Sequence, residues 1–359
     1  MKRVLLLAFA VLACLLAVAP ASAQPSCGLN GEHLLTWPDS NPVWQMCWVR
    51  PADSSGTNGS GLEIRDVYYN GHLVLKRAHV PMLNVEYIQT SCGCVCYRDW
   101  EDEQQVFIAD HIITPHVYAE PLNPTETVCD VGGGSDVCTA GQPNCFDGVA
   151  AEKTNDPLVL TTQFEAGWYR YTMRWKFYLD GRIQPVFGFS AVSAGCVSCT
   201  HQHHAYWRLD FDIDTPADNI VTEAPDPSPP GGGRSGLRPP AITLTNETMR
   251  QTAYPGITWS VLNTTTNRGY RLVPGAETAL PADTFSQGDL WALAYNSNEI
   301  DDGHGLGECP VDFSGWLNNE ALDGDVVLWY RTGWLHVGGD LADCDPVGPT
   351  LYPIGDWSP

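Results

Sequence analysis

Positive charge is scarce in this chain of 359 residues. Lys and Arg together number 19 against 42 Asp and Glu, which gives a formal net charge of −23 at pH 7. A surface this acidic repels phosphate backbones and anionic lipid headgroups, so the composition argues against nucleic acid as a partner. The same acidity suits either simple solubility outside the cell or the attraction of cations, and composition alone does not separate the two.

Long apolar runs are also scarce. The first, residues 4–18, follows Lys2 and Arg3 and precedes the small residues 21–23. That order is typical of a signal peptide, so we expect residues 1–23 to be a cleaved leader and the protein to be secreted. No later stretch contains the roughly 20 consecutive apolar residues that a membrane-spanning helix needs. The sequence therefore predicts no transmembrane segment.

Long helical periodicity is scarce too. Short alternating segments rich in β-branched and aromatic residues recur between turn-forming clusters, which predicts an all-β sandwich or barrel. One of the 13 cysteines, Cys14, falls in the leader, and the even remainder is typical of a disulfide framework in an exported protein. Zinc is the alternative for the close pairs Cys94/Cys96 and Cys196/Cys199. The absence of a second regular C-x-x-C motif favours disulfides, whose connectivity stays open.

One strand can be placed with its faces from sequence alone. Residues 168–177 alternate, with aromatic residues and a methionine at the odd positions, so Tyr169 is expected to point into the core. Asp180-Gly181 supplies the residues of a tight hairpin turn, after which the chain returns through 183–189.

A histidine pair opens a second clear strand. Its odd positions hold His201 and His203 and then Trp, Leu, Phe and Ile, while His204 falls on the opposite face. An H-x-H pair places two imidazoles on one face about 7 Å apart along the backbone, close enough to converge on one ion. Many such pairs are merely polar surface positions. Unpaired imidazoles would be costly to bury on an otherwise apolar face, so the pattern favours a metal site.

The residues around this pair resemble the copper-binding segment of copper amine oxidases. The match consists of Thr200-His201-Gln202-His203, Arg208-Leu209-Asp210, Asp212-Ile213-Asp214 and Asn219, in the family's order. Further segments are similar to other parts of the family's catalytic domain: 61–67, 69–71, 92–96, 325–330 and 332–337. The last of these resembles the strand that carries the family's third copper histidine, which is His336 here.

The resemblance implies a fold and a domain organisation. The expected fold is a large antiparallel β-sandwich of the copper amine oxidase catalytic-domain type over residues 61–359, after an N-terminal extension over 24–60. The stretch 223–240 is rich in Pro and Gly. We expect it to be a loop inside this domain, since His336 lies beyond it. Family members are commonly dimers, so the resemblance also implies a possible homodimer.

Residues 158–183 resemble the family segment whose tyrosine is converted by copper and oxygen to topaquinone. Tyr169 stands at the precursor position, although Trp168 replaces the family's Asn and Arg170 replaces its acid. Val85-Glu86-Tyr87 resembles the family's Val-Pro-Tyr, whose tyrosine hydrogen-bonds the quinone. The resemblance therefore implies catalytic roles for Tyr169 and Tyr87.

The implied activity is oxidative deamination of a small primary amine by oxygen to an aldehyde, ammonia and hydrogen peroxide. Its cofactors would be copper(II) on His201, His203 and His336 and topaquinone derived from Tyr169. The family's sequence around its proton-abstracting Asp is absent. The alternative is a catalytically impaired copper-binding, structural or adhesion sandwich without that base. Nearby carboxylates exist without an assigned role: Asp99, Glu101 and Asp102.

Overall fold

The structure is a computed structural model of the chain. It describes residues 24–29, 31–87, 90–99, 107–108, 118–119, 145–146, 149–153, 156–191, 195–226, 240–251, 256–275, 288–304, 311–337 and 342–359. Among these residues, no helix is long and apolar enough to cross a bilayer.

Regular structure in the described residues is almost entirely β-strand. The first eleven strands are β1 (His33–Trp37), β2 (Trp44–Val49), β3 (Glu63–Tyr69), β4 (His72–Tyr87), β5 (Tyr97–Asp99), β6 (Phe107–Ile108), β7 (Tyr118–Ala119), β8 (Cys145–Phe146), β9 (Val149–Glu152), β10 (Leu158–Ala166) and β11 (Tyr169–Phe177). The rest are β12 (Ile183–Ala191), β13 (His201–Phe211), β14 (Asn219–Pro225), β15 (Ile242–Leu244), β16 (Thr248–Arg250), β17 (Ile257–Asn263), β18 (Gly269–Val273), β19 (Leu290–Ala294), β20 (Val326–His336), β21 (Ala342–Val347) and β22 (Thr350–Ile354). Two short 3-10 turns, Pro51–Asp53 and Thr90–Cys92, interrupt them.

Two large sheets contain nearly all of these strands. The first has the order β1-β2-β3-β4-β13-β20-β19-β16, with β5 also paired to β4. The second has the order β15-β14-β17-β18-β22-β12-β11-β10-β9-β7, with β21 also paired to β12. The described pairings are antiparallel except for β7 with β9. The predicted antiparallel β-sandwich is thereby confirmed.

The core lies between the two sheets and is strongly aromatic. Trp175 of the second sheet meets Trp207 of the first edge-on, with ring centroids 5.4 Å apart, and both side chains are fully buried. Burying a large apolar side chain contributes roughly 1.5–3 kcal/mol, and aromatic pairs prefer such edge-to-face contacts. The alternation expected for residues 168–177 is confirmed, because Tyr169, Tyr171 and Trp175 all belong to this core.

The outer face of β13 differs from the sequence-based expectation. Simple alternation would leave Arg208 and Asp210 at the surface, yet they are only 1% and 2% exposed. A second apolar cluster covers part of this face; it consists of Met82, Tyr206, Trp291, Leu293, Val311, Phe313, Val327 and Trp329. His204 also lies on this side, buried beside the guanidinium of Arg331. A strand covered on both faces has no exposed side, so alternation does not predict its burial.

The cysteines form disulfides between distant segments. The described bridges are Cys27–Cys47, Cys92–Cys199 and Cys94–Cys196. Cys96 is also disulfide-bonded. The zinc alternative for the close pairs is therefore wrong, because each cysteine of the 196/199 pair bonds to a residue of the 92–94 segment.

The Pro- and Gly-rich stretch connects two strands of one sheet. Its first residues, 223–225, extend β14 instead of starting the loop. Strand β14 pairs with β15 directly after the stretch, with Val221 opposite Leu244. Residues 227–239 lie outside the described part. At the other end of the chain, β1 and β2, which fall within the expected extension over 24–60, join the first sheet beside β3.

Candidate metal and tyrosine site

The register of three neighbouring strands brings two of the predicted copper ligands side by side. Strand β13 lies between β4 and β20 in the first sheet. His201 is directly opposite Tyr87 on one side and His336 on the other. His203 follows two residues later on the same face of β13, as the period of a strand requires. The predicted site residues of this sheet are thus brought together at one end of the sandwich.

The three imidazoles form a buried cluster. The ring centroid of His201 is 4.9 Å from that of His203 and 4.8 Å from that of His336. The residues are 0%, 0% and 4% exposed, in the order His201, His203, His336. Burial lowers the pKa of His201 to about 4 and that of His203 well below its usual value. Both rings are therefore neutral near pH 7, which is the form that binds metal.

The second sheet supplies the tyrosine that faces this cluster. Tyr169, at the start of β11, is 2% exposed. Its Oη lies 2.7 Å from Oη of Tyr87 and 3.2 Å from Nε2 of His201. Burial is the main reason that the pKa of Tyr169 is raised, and it raises the pKa of Tyr87 to about 12. Both phenols therefore carry their protons at neutral pH.

These contacts form a hydrogen-bond chain with one direction. Nδ1 of His201 lies 2.7 Å from the carbonyl oxygen of Cys199, which can only accept, so the neutral ring carries its proton on Nδ1. Its Nε2 then accepts the hydrogen bond from Tyr169. Tyr87 donates to the oxygen of Tyr169 and accepts from the indole N–H of Trp168, 3.0 Å away. A donor at one end and an acceptor at the other thus fix every proton along the chain.

A second short chain ends at a carboxylate. Tyr171 donates from Oη to Oδ2 of Asp99 at 2.6 Å and lies 3.1 Å from Nδ1 of His203. Because the phenol proton goes to Asp99, its oxygen accepts from Nδ1 of His203, and the lone pair of that ring is on Nε2. Burial raises the pKa of Asp99 to about 7. The rings of Tyr171 and Tyr169 are adjacent, with centroids 5.6 Å apart.

The donor set at this end of the sandwich fits copper. Buried neutral imidazoles are ligands that suit Cu(II) as well as other divalent metals. Hydrogen bonds from Nδ1 fix the rings of His201 and His203 with the lone pair on Nε2, and a metal on His201 would take the lone pair that accepts from Tyr169. His336 would complete the set. No further carboxylate is needed to hold such an ion, and water can occupy the remaining positions.

Comparison with known proteins agrees with this geometry. Residues 185–341 match the profile of the copper amine oxidase enzyme domain, and this segment contains all three histidines. Over this segment the chain is similar to a divergent, partial copper amine oxidase catalytic domain. The predicted resemblance to that domain is thereby confirmed.

Two curated relatives illustrate the divergence from the amine oxidases. The primary amine oxidase of Arthrobacter sp. (strain P1) is 24% identical over 243 residues, covering 53% of this chain and 36% of that protein. The copper-containing amine oxidase gamma 2 of Arabidopsis thaliana is 25% identical over 249 residues, covering 54% and 36%. The chain thus spans about a third of the length of the curated relatives it matches.

Solved amine oxidase structures share the fold. The copper-containing benzylamine oxidase from Hansenula polymorpha superposes with a TM-score of 0.58 at 14% identity, covering 94% of this chain and 62% of that one. The Aspergillus nidulans amine oxidase gives a TM-score of 0.58 at 18% identity, covering 88% and 51%. At these identities the likeness concerns the fold alone.

Two acidic features have no role that can be inferred from the sequence alone, and the first of them is Asp99. In the sequence, Asp99 is one of several nearby carboxylates; its place opposite Leu83 in the β4–β5 pairing turns it inward beside Tyr171. Glu101 and Asp102 lie outside the described residues. Asp99 follows Tyr97 on the same face of β5, and this two-residue spacing from an aromatic residue is the signal that separates it from a solvated acidic run.

The other feature is a carboxylate trio on the outer face of the first sheet. One oxygen each of Asp210, Asp212 and Asp325 lies within 4.8 Å of the others. Within the described residues, Oδ1 of each is buried and makes no hydrogen bond. Burial, then the charge of Asp210, raises the pKa of Asp212 to about 7 and that of Asp325 to about 6. Such an oxygen set suits a hard cation such as Ca²⁺.

Proposed function

We propose that this protein is a secreted, copper-dependent amine oxidase that deaminates small primary amines. The observation that carries the proposal is the position of the Tyr169 hydroxyl, which is buried between Oη of Tyr87 at 2.7 Å and Nε2 of His201 at 3.2 Å. His201, His203 and His336 would hold copper. Disulfides and the leader-like start of the chain support export.

Copper and oxygen would convert the ring of Tyr169 to topaquinone, which supplies the carbonyl chemistry that oxidises an amine. The chain's own residues have three tasks around that ring. Tyr87 holds the ring oxygen by donating a hydrogen bond to it, and its raised pKa keeps the donor protonated. The surrounding aromatic residues exclude water, since the Tyr169 ring contacts those of Phe189 and Tyr171.

The third task is proton removal from the substrate, which we assign to Asp99. Its carboxyl lies one hydrogen bond from Tyr171, whose ring packs beside Tyr169. A general base works best when its pKa lies near the operating pH, and burial raises the pKa of Asp99 to about 7. On this assignment, Asp99 takes the place of the family's proton-abstracting Asp, whose surrounding sequence is absent from this chain.

Trp168 takes the place of the family's asparagine. Its indole N–H donates to Oη of Tyr87, so the hydrogen bond reaches Tyr169 through one intermediate group. The ring also meets Tyr97 edge-on, with centroids 5.2 Å apart, and both residues are partly exposed. Trp168 would thus fix Tyr87 and line the approach to the site.

The test is aerobic copper loading of the purified metal-free protein, followed by intact-mass and visible-absorption measurements with a hydrazine trap. A mass gain, a quinone band and a hydrazine adduct are expected for the wild type and should vanish in Tyr169→Phe. Tyr97→Phe is the matched control, because it removes a nearby phenol that makes ring contacts but has no proposed role in the chemistry.

The outcomes separate the possible functions. A quinone in the wild type and in Tyr97→Phe would justify a screen of primary amines for hydrogen peroxide release. Stoichiometric copper without a quinone would leave a copper-binding protein and refute the oxidase activity. Failure to bind copper at all would refute the metal site as well.

A further inference from the structure

Two disulfides converge on the turn that leads into the histidine strand. Cys92–Cys199 and Cys94–Cys196 join residues 107 and 102 positions apart in the sequence. Both link the segment after β4 to the turn before β13, and these strands are neighbours in the first sheet. The bridges therefore lie at the end of the sheet that carries Tyr87 and His201.

The turn is held at several points besides the bridges. The amide of Cys199 donates to the carbonyl of Cys196 at 3.0 Å, and Oγ of Ser198 donates to the carbonyl of Gly195 at 2.8 Å. Val197, between the two bridged cysteines, is 1% exposed and belongs to the core between the sheets. Such a turn has little freedom to rotate its peptide groups.

One of those peptide groups orients a proposed metal ligand. The carbonyl of Cys199 accepts from Nδ1 of His201 at 2.7 Å, which leaves Nε2 facing Tyr169. Pairing of β13 with its neighbours begins at His201, so Cys199 lies two residues before the sheet ladder. The ladder alone therefore does not fix this carbonyl, which belongs to the bridged turn.

We propose that the Cys92–Cys199 and Cys94–Cys196 bridges position His201 for metal binding, by clamping the Cys199 carbonyl that sets the tautomer and orientation of its ring. This inference rests on the proposed copper site but concerns residues that the family comparison does not assign. Partners that orient a ligating histidine typically affect metal affinity tenfold to a hundredfold when removed. Loss of the clamp should let the ring adopt both tautomers and rotate.

The experiment compares three bridge variants of the full chain. Cys92→Ser/Cys199→Ser removes the inner bridge, and Cys94→Ser/Cys196→Ser removes the outer one. The matched control, Cys27→Ser/Cys47→Ser, removes the bridge between the segment before β1 and strand β2, which lies three strands from β13 in the sheet order. Each protein is first shown to unfold cooperatively, and then its Cu²⁺ dissociation constant is measured by competition with a chelator.

A second readout does not need the metal. Nitrogen-15 NMR of the imidazoles in metal-free protein distinguishes a ring protonated on Nδ1 from one that exchanges between tautomers. We expect a single Nδ1–H tautomer for His201 in the wild type and in the control. In the inner-bridge variant we expect averaged tautomer shifts and a dissociation constant raised at least about tenfold.

The outcomes decide the proposal even if one variant does not fold. Should the inner-bridge variant fail to fold, the outer-bridge variant decides, because it frees Cys196, whose carbonyl holds the amide of Cys199. An affinity loss of at least about threefold with altered His201 shifts would support the clamp. Wild-type tautomer and affinity in the folded bridge variants, equal to the control, would overturn it. If the wild type binds no copper, the proposed function fails, while the NMR comparison still tests the clamp.

Discussion

The half-buried carboxyl of Asp99 leads to a pH-dependent prediction about stability. Burial raises its pKa from 3.8 to about 7, and only the hydrogen bond from Tyr171 acts in the other direction. Between these two values the folded state holds a proton that the unfolded state has lost. Stability contributed by this group is therefore complete below about pH 4 and is lost as pH rises towards 7. Asp99→Asn removes the titration and keeps an oxygen that can accept from Tyr171.

The size of the effect follows from the two pKa values. At about pH 5 the burial of Asp99 costs roughly 1.5 kcal/mol, and at about pH 8 it costs roughly 4 kcal/mol. The wild type should thus lose roughly 2.5 kcal/mol more than Asp99→Asn between these conditions. Other groups with raised pKa values, such as Asp212 and Glu299, are present in both proteins and cancel in the difference.

The assay is urea unfolding of metal-free wild type and Asp99→Asn at both pH values, followed by tryptophan fluorescence. Asp312→Asn is the control, since this carboxylate lies at the surface and its pKa is lowered. If the free energy of unfolding falls between the two pH values by the same amount in the wild type and Asp99→Asn, within about 0.5 kcal/mol, then Asp99 is solvated. In that case Asp99 would also be unsuited to the role of base. If an oxidase activity is found, kcat/KM should rise with pH through about 7 in the wild type and fall at least about a hundredfold in Asp99→Asn.

Three further predictions concern the rest of the site. Trp168→Phe removes the indole N–H that donates to Tyr87 and should lower the free energy of unfolding by about 1 kcal/mol. The loss should be smaller in a Tyr87→Phe background, as measured by a double-mutant cycle in urea, and full additivity of the two changes would contradict it. His203→Gln should weaken Cu²⁺ binding at least about a hundredfold in chelator competition, whereas a change of less than threefold would exclude it as a ligand. Millimolar Ca²⁺ should raise the melting temperature of the wild type by a few degrees and leave Asp212→Asn unchanged, as followed by calorimetry; an equal shift in both would exclude the carboxylate trio as its site.

The sequence predicts those features of the site that depend on neighbouring residues in one strand. Alternation over 168–177 places Tyr169 on the core face, and the H-x-H spacing places His201 and His203 on one face, because a strand repeats every two residues whatever it packs against. Arg208 departs from this rule, since it lies beneath residues 295–299, with Nε donating to the carbonyl of Glu299 and the guanidinium over the ring of Tyr295. Local periodicity cannot foresee a cover built from residues far along the chain.

The all-β class, the faces of the two key strands and the family resemblance around His201 can all be read from the order of the residues. The cysteine pairing, the position of His336 opposite His201 and the inward turn of Asp99 beside Tyr171 depend on how distant segments pack. Strand periodicity is a property of neighbouring residues, whereas each of these contacts joins segments tens to more than a hundred residues apart. Their partners are chosen by sheet order and register, which many pairings of short strands could satisfy until the whole core is packed.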